Sequence, residues 1–326
     1  MKSSDYLALY LESRKVTHCF ELIGGMITHL IDSISRKTNI KIISCHHEQT
    51  AGFAAEGLAR VSEIPGVALA TSGPGATNLI TAIGSCFFDS TPTIFITGQV
   101  NTFELRKGKG VRQLGFQETD IIEICKPITK YAVQVENVEQ LPEILEKAFD
   151  IAIKGRQGPC LIDIPMDIQS QNINDEKYIN LVRKMNPQKK FIFEISNSNI
   201  SITKKLLHTI KISKKPLILL GGGSANYRNR RFVKELVENL NIPAVLSLMG
   251  VDLLSQNNNL RTGFIGSYGN RWANKILAEC DLLIVVGSRL DIRQTGSDTK
   301  SFTRGKEIWQ IDIDNNEMGL RIKPDF

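Results

Sequence analysis

Residues 66–87 read GVALATSGPGATNLITAIGSCF. A short apolar run, 66–71, meets Ser72-Gly73-Pro74-Gly75, and helical spacing takes over near 76–87. Such a run bounded by a glycine turn and followed by a helix is one half of a βαβ unit. Glycines let the backbone turn sharply and approach a ligand, and the helix start offers free N–H groups. The loop is neither a Walker loop nor GxGxxG.

The same alternation extends outward. Strands are predicted at 18–22, 40–45, 92–97 and 159–164, and helices near 25–36, 48–62 and 138–154. Alternation of this kind predicts a mainly parallel sheet with helices on both faces. Residues 171–195 are polar and rich in Asn, Gln and Lys, a linker composition. A second α/β block follows, with strands at 216–223, 243–247, 281–287 and 307–313 and helices ending near 240 and 279. The expected fold class is therefore α/β, two doubly wound, mainly parallel-sheet domains. Domain one covers 1–170, a linker 171–195, and domain two, Rossmann-like, 196–326.

Composition narrows the function classes. The 326 residues are 42% hydrophobic with net charge +6, enough apolar material for real cores. Lys and Arg are scattered rather than gathered in a stripe with aromatics, which argues against a nucleic-acid partner. No apolar run reaches membrane-spanning length, and the N-terminus lacks a signal-peptide pattern, so no membrane role and a cytoplasmic location are expected. None of the six cysteines forms a CxxC pair, and no HExxH spacing occurs; the chain's own residues are expected to hold no metal. Buried free thiols are the simpler reading of the cysteines.

Three segments stand out. CHHEQTAGFAAEGLARV starts at Cys45, with a strand ending there and a helix beginning near Glu48. Glu48 alone reads as a first-turn acid favoured by the helix dipole. The second is the 72–78 turn. The third, GFQETDIIEICKPITKYAV, begins at Gly115, with Thr119 or Asp120 as helix cap.

Together these segments resemble the thiamine-diphosphate enzyme family, and within it acetolactate synthase large subunits. The matching stretches are His46–Gln49, Ser72–Asn78, Ile96–Val100, Phe116–Asp120, Pro127–Lys130 and Asp163–Pro165. In the second block they are 221–223, 247–250, 286–296 and 311–314. The resemblance implies a pyrimidine-binding domain followed by a central domain. It implies thiamine diphosphate, with magnesium held by a diphosphate-binding domain or partner chain, and a homo-oligomer (dimer or tetramer) with its site between subunits.

By that resemblance Glu48 hydrogen-bonds a pyrimidine nitrogen and activates the cofactor, while Phe116 and Gln117 stand near the reacting carbons. Gly24, Gly25, Gly73, Pro74, Gly75 and Asn78 line the cofactor. In the second block Gly221, Gly222, Gly223, Ser247, Leu248, Arg289, Arg293 and Asp312 match positions around FAD, which some relatives bind and others do not. The implied activity is decarboxylation of a 2-oxo acid and transfer of the carbon unit to an acceptor.

Three departures qualify this expectation. The family's lysine after the last strand of the first domain is Met166 here. Residues 100–115 form a longer, more basic loop, with Arg106, Lys107, Lys109 and Arg112. It reads as a solvated loop or as a contact for an anionic substrate, such as a phosphorylated or nucleotide-linked sugar, resembling variants from polysaccharide gene clusters. The family's magnesium-binding Gly-Asp pair occurs nowhere in the sequence. The chain is therefore expected to be a component or fragment, inactive without a diphosphate-binding domain. The alternative is a non-catalytic or regulatory subunit, or a truncated pseudo-enzyme, pairing with a full-length homologue.

Overall fold

The computed structural model describes residues 1–174, 176, 180 and 197–326. The chain divides into two compact units, Met1–Lys189 and Lys190–Phe326. The predicted linker lies outside the described residues from 175 onward, save Glu176 and Asn180. Residues 171–173 are anchored on the first unit: Gln171 O accepts from Ser3 N, and Ile173 N donates to Met1 O.

The first unit holds strands β1 (His18–Leu22), β2 (Lys41–Ser44), β3 (Gly66–Ala70), β4 (Thr93–Gln99), β5 (Tyr131–Gln134) and β6 (Cys160–Pro165). They lie in the order β2-β1-β3-β4-β6-β5, all parallel. The helices are α1 (Ser3–Ser13), α2 (Thr28–Lys37), α3 (Glu48–Arg60), α4 (Pro74–Asn78), α5 (Ile80–Phe88), α6 (Ile121–Cys125), α7 (Leu141–Ile153) and α8 (Met166–Ser170).

Every residue of β3, β4 and β6 is buried. That is why these strands read as continuous apolar runs rather than alternating ones: helices cover both faces. One face packs Leu7, Leu11, Ile34, Leu145 and Phe149; the other packs Ala55, Leu79, Ile83 and Ile121. The order reverses between β1 and β3, so the carboxyl ends of those strands open a crevice, the usual ligand position in open α/β sheets.

The second unit holds β7 (Pro216–Leu220), β8 (Ala244–Leu246), β9 (Arg261–Phe264), β10 (Leu282–Val286) and β11 (Glu307–Ile311), ordered β11-β10-β7-β8-β9 and also parallel. Its longer helices are α9 (Asn197–Ile212), α10 (Asn229–Leu240) and α11 (Arg271–Glu279); α12 (Ile292–Thr295) and α13 (Thr299–Thr303) are short. Here the reversal falls between β7 and β10. The architecture is the expected pair of doubly wound parallel-sheet domains.

Several elements differ from expectation. Strands β5 (YAVQ) and β9 (RTGF) were not foreseen; both are edge strands, half-buried and short, so neither carries a long apolar run. The helix expected at 76–87 is two, joined at Leu79 and starting earlier, at Pro74, because Pro is preorganised for a first helical turn. The helix expected from 25 opens with a 3₁₀ turn, Gly25–Ile27, before α2.

Candidate active site and central-domain cradle

The first site is built where β1, β2 and β3 end. After β2, His47 takes an extended conformation and caps α3: its Nδ1 accepts from Gln49 N at 3.1 Å. Glu48 therefore occupies the first helical position and is 7% exposed. Asn78, the last residue of α4, donates from Nδ2 to Glu48 Oε2 at 2.8 Å. Glu48 Oε1 accepts from no described residue.

The glycine turn explains the approach. A Cβ on Gly75 would lie 3.2 Å from Glu48 Oε1 and 2.7 Å from Thr71 Cγ2. Gly73 has φ +62°, a left-handed conformation that glycine adopts without strain, and a Cβ there would meet Gln117 Cβ at 2.7 Å. On the other side, a Cβ on Gly24 would strike Thr71, whose Oγ1 accepts from Met26 N. The Oγ of Ser72 is buried without a hydrogen-bond partner.

Glu48, Asn78, Gly75, Gly73, Gln117 and Gly24 thus meet around one short turn. Gly25 and Pro74 flank it, but a Cβ on Gly25 meets nothing within 4 Å and Pro74 is exposed. Phe116 is 74% exposed, beside Gln117 rather than packed on the turn. Gln117 carries the unusual backbone value φ +61° for a residue with a side chain.

Beneath the 116–120 segment lies a buried acid to which the motif reading gave no role. Asp163, on β6, is fully buried. Its Oδ1 accepts from Thr97 Oγ1 at 2.7 Å. Its Oδ2 accepts from Gln99 Nε2 at 3.0 Å and Gln134 Nε2 at 2.8 Å. Burial pushes its pKa up to about 6; the three donors oppose that rise and nearby Asp120 adds to it. The available signal was a polar residue, Asp163, inside the apolar run CLIDIP.

A groove of about 870 Å³ runs along β5 between α6 and α7, under residues 105–109. Gln99, Thr119 and Gln134 line it, but Glu48, Gly73 and Gln117 do not. The side chains of Arg106, Lys107 and Lys109 form no ion pair among the described residues, and Glu118, which accepts from Arg106 N, lines the same groove with Asp120, Glu123, Glu136 and Glu143. Five cysteines are buried and Cys45 is half-buried. Burial pushes the thiols of Cys19, Cys86 and Cys160 up to about 12, so they stay protonated.

In the second unit the matched residues all follow strand ends. Gly221–Gly223 follow β7, Ser247 and Leu248 follow β8, Arg289 and Arg293 follow β10, and Asp312 follows β11. Two of the glycines serve the backbone itself. A Cβ on Gly221 would lie 2.0 Å from Gly287 O, and Gly221 N and Gly223 N donate to Val286 O and Gly287 O. Those two N–H groups are thus already used within the backbone, and Gly222 is exposed toward Met249. Ser247 Oγ and Gln310 Oε1 are buried without partners. Arg289 lies 3.9 Å from Asp291, Arg293 is exposed, and Asp312 accepts from Asp314 N.

Among the described residues, no group of three or more His, Cys, Asp or Glu side chains could hold a metal, and no helix is long and apolar enough to cross a membrane.

Two family models match the chain. The thiamine pyrophosphate enzyme N-terminal TPP-binding domain covers residues 1–124, and the thiamine pyrophosphate enzyme central domain covers 203–326. The acetolactate synthase isozyme 1 large subunit of Escherichia coli (strain K12) is 37% identical over 98% of this chain and 54% of its own length. A probable acetolactate synthase large subunit of Methanococcus aeolicus is 36% identical over 100% of this chain and 52% of its own. The chloroplastic acetolactate synthase of Arabidopsis thaliana is 36% identical over 99% and 46%. The chain spans about half the length of the curated relatives it matches. These matches establish that the chain belongs to the thiamine pyrophosphate enzyme family, as an acetolactate-synthase-like member carrying its N-terminal and central domains.

Proposed function

We propose that this chain supplies the aminopyrimidine half of a thiamine-diphosphate site, with Glu48 as the activating acid. The single observation that carries the reading is the Glu48–Asn78–Gly75 constellation. A buried carboxylate has one oxygen held by an amide and the other open at a glycine-floored turn. A flat, polar heteroaromatic ring fits such a cradle: it needs close backbone approach and one acidic contact. The open Oε1 and the unpartnered Ser72 Oγ are groups for a ring's nitrogens to satisfy.

The cofactor, when bound, supplies the carbon nucleophile. This chain's residues handle the pyrimidine ring and the substrate. Glu48 holds and passes a proton at a ring nitrogen. Asn78 fixes which carboxylate oxygen faces the ring. Gln117 donates a hydrogen bond to the carboxylate or oxyanion of a 2-oxo acid, and Phe116 stands beside it, near the reacting carbons. The reaction is decarboxylation followed by transfer of the carbon unit to an acceptor. The diphosphate and its magnesium are held by a diphosphate-binding domain of a partner subunit, in a dimer or tetramer. The basic residues of the 106–109 loop would favour a substrate bearing negative charge.

In the assembled enzyme, Glu48→Gln keeps the size and removes the exchangeable proton. The decarboxylation rate is expected to fall by roughly 10²–10⁴-fold. Aspartate would fall about 1.5 Å short and should do no better. A full rate in Glu48→Gln sinks the assignment.

For the central domain we infer a dinucleotide, FAD, at the β7–β10 crevice. The reading is supported by Gly222, exposed after β7, and by two buried oxygens without partners in the same unit, Ser247 Oγ after β8 and Gln310 Oε1 on β11. A flavin absorption band in the purified protein, lost on extraction, is the expected result; its absence after reconstitution with FAD counts against it.

A further inference from the structure

We propose that Asp163 is a positioning residue for the segment bearing Phe116 and Gln117, and that it acts through the side-chain amide of Gln99. The functional part of this inference rests on the reading of the Glu48 site given above. The structural part stands by itself.

Asp163 lies in register with Thr97 on β4 and Gln134 on β5, so the three side chains share one face of the sheet. Gln99 is two residues beyond Thr97 and points to the same face. Its amide is fully used. Nε2 donates to Asp163 Oδ2 and, at 2.8 Å, to the backbone carbonyl of Thr119. Oε1 accepts from Val100 N at 3.0 Å. An ionised carboxylate only accepts hydrogen bonds, so it fixes which end of that amide faces it. Once Nε2 is turned to Asp163, its second hydrogen reaches Thr119 O.

That last bond leaves the sheet. It holds a loop carbonyl two residues from Gln117, and Thr119 Oγ1 reaches back to Gln117 O at 3.4 Å. Gln117 needs such support. Its left-handed backbone costs on the order of 1 kcal/mol or more and persists only where the surroundings enforce it. Two further bonds complete the hold: Gln117 N donates to Gln113 Oε1, and Glu118 N to Gly115 O. A buried carboxylate needed only to tie strands together would be satisfied by Thr97 and Gln134. The Gln99–Thr119 bond adds nothing to strand pairing and everything to the loop.

Hydrogen exchange and kinetics on the assembled enzyme test this. Gln99→Met keeps the side chain's length and removes the relay. The amides of Gln117 and Glu118 should exchange about tenfold faster or more, with β3, β4 and β6 unchanged. The kcat should fall about tenfold, while the apparent affinity for thiamine diphosphate stays within about twofold. Asp163→Asn, which retains the shape and loses the charge, should shift both readouts the same way by less. The double variant should be no worse than Gln99→Met, because both act along one path. Unchanged exchange at Gln117 and Glu118, faster exchange spread over the whole sheet, an unchanged kcat, or additive losses would each overturn the proposal. Full activity in Glu48→Gln strikes the cofactor reading instead and leaves the exchange result standing.

Discussion

Asp163 has a consequence for stability as well as for the loop. Its folded pKa, about 6, stands above the ordinary carboxylate value because burial penalises the charge. The folded state therefore holds a proton that the unfolded chain has already released between pH 4 and 6. By linkage, Asp163 contributes most to stability below the unfolded pKa, and that contribution is lost as pH rises through about 6. Urea unfolding of the wild type against Asp163→Asn should show it. The difference should move by on the order of 2–3 kcal/mol between pH 4 and 7 against the wild type; a pH-independent difference would contradict the buried charge. At the same scale, Lys130 shows that a motif match need not mark chemistry. Its ammonium donates to the carbonyls of Ile151 and Lys154, at the end of α7, and burial lowers its pKa. It works as a helix-end cap.

Glu48 is placed by α3 as a whole. The inner face of that helix is small: Ala51, Gly52, Ala55 and Ala59 are all buried. A Cβ on Gly52 would lie 2.4 Å from Ala82 Cβ on α5, and a Cβ on Gly66 would lie 2.0 Å from Ala55 O. The helix therefore sits closer to the sheet and to α5 than side chains of ordinary size allow. Gly52→Leu should destabilise the first unit by about 1–3 kcal/mol through overpacking, read by urea unfolding. It should also weaken thiamine-diphosphate binding, because α3 carries Glu48 with it. Retained affinity alongside the stability loss would separate the helix's position from the site.

At the scale of the molecule, both units obey one rule. Each is a parallel sheet whose strand order reverses beside its first strand, and Gly24, Glu48 and Gly73–Gly75 in one, Gly221–Gly223 and Arg289 in the other, follow the carboxyl ends of strands at or next to that reversal. In the first unit the crevice is floored by the 71–75 turn; in the second it is narrowed by the contact of Gly221 with Gly287. Gly221→Ala should force β7 and β10 apart at their carboxyl ends. A lower melting temperature for the second unit, together with loss of any bound flavin, is the expected result; an unchanged melting temperature would show that the backbone contact can yield.

How much of this was legible beforehand follows from chemistry that is local or not. Fully buried strands such as TIFITGQ and glycine turns such as SGPG announce themselves, because burial on both faces and left-handed backbone restrict residue type at that position alone. So the fold class, the family and the helix start at Glu48 were determined by the sequence. Edge strands β5 and β9 were not, since a half-buried strand of four residues satisfies no strict pattern. Nor was the meeting of Gly73 with Gln117, 44 positions apart, or of Asn78 with Glu48. Nothing local marks Asp163, Gln99 and Thr119 as partners. Only the parallel register of β4, β5 and β6 brings one carboxylate and three donors to the same face, because hydrogen-bond partners of a buried charge are chosen by tertiary contact and not by neighbours along the chain.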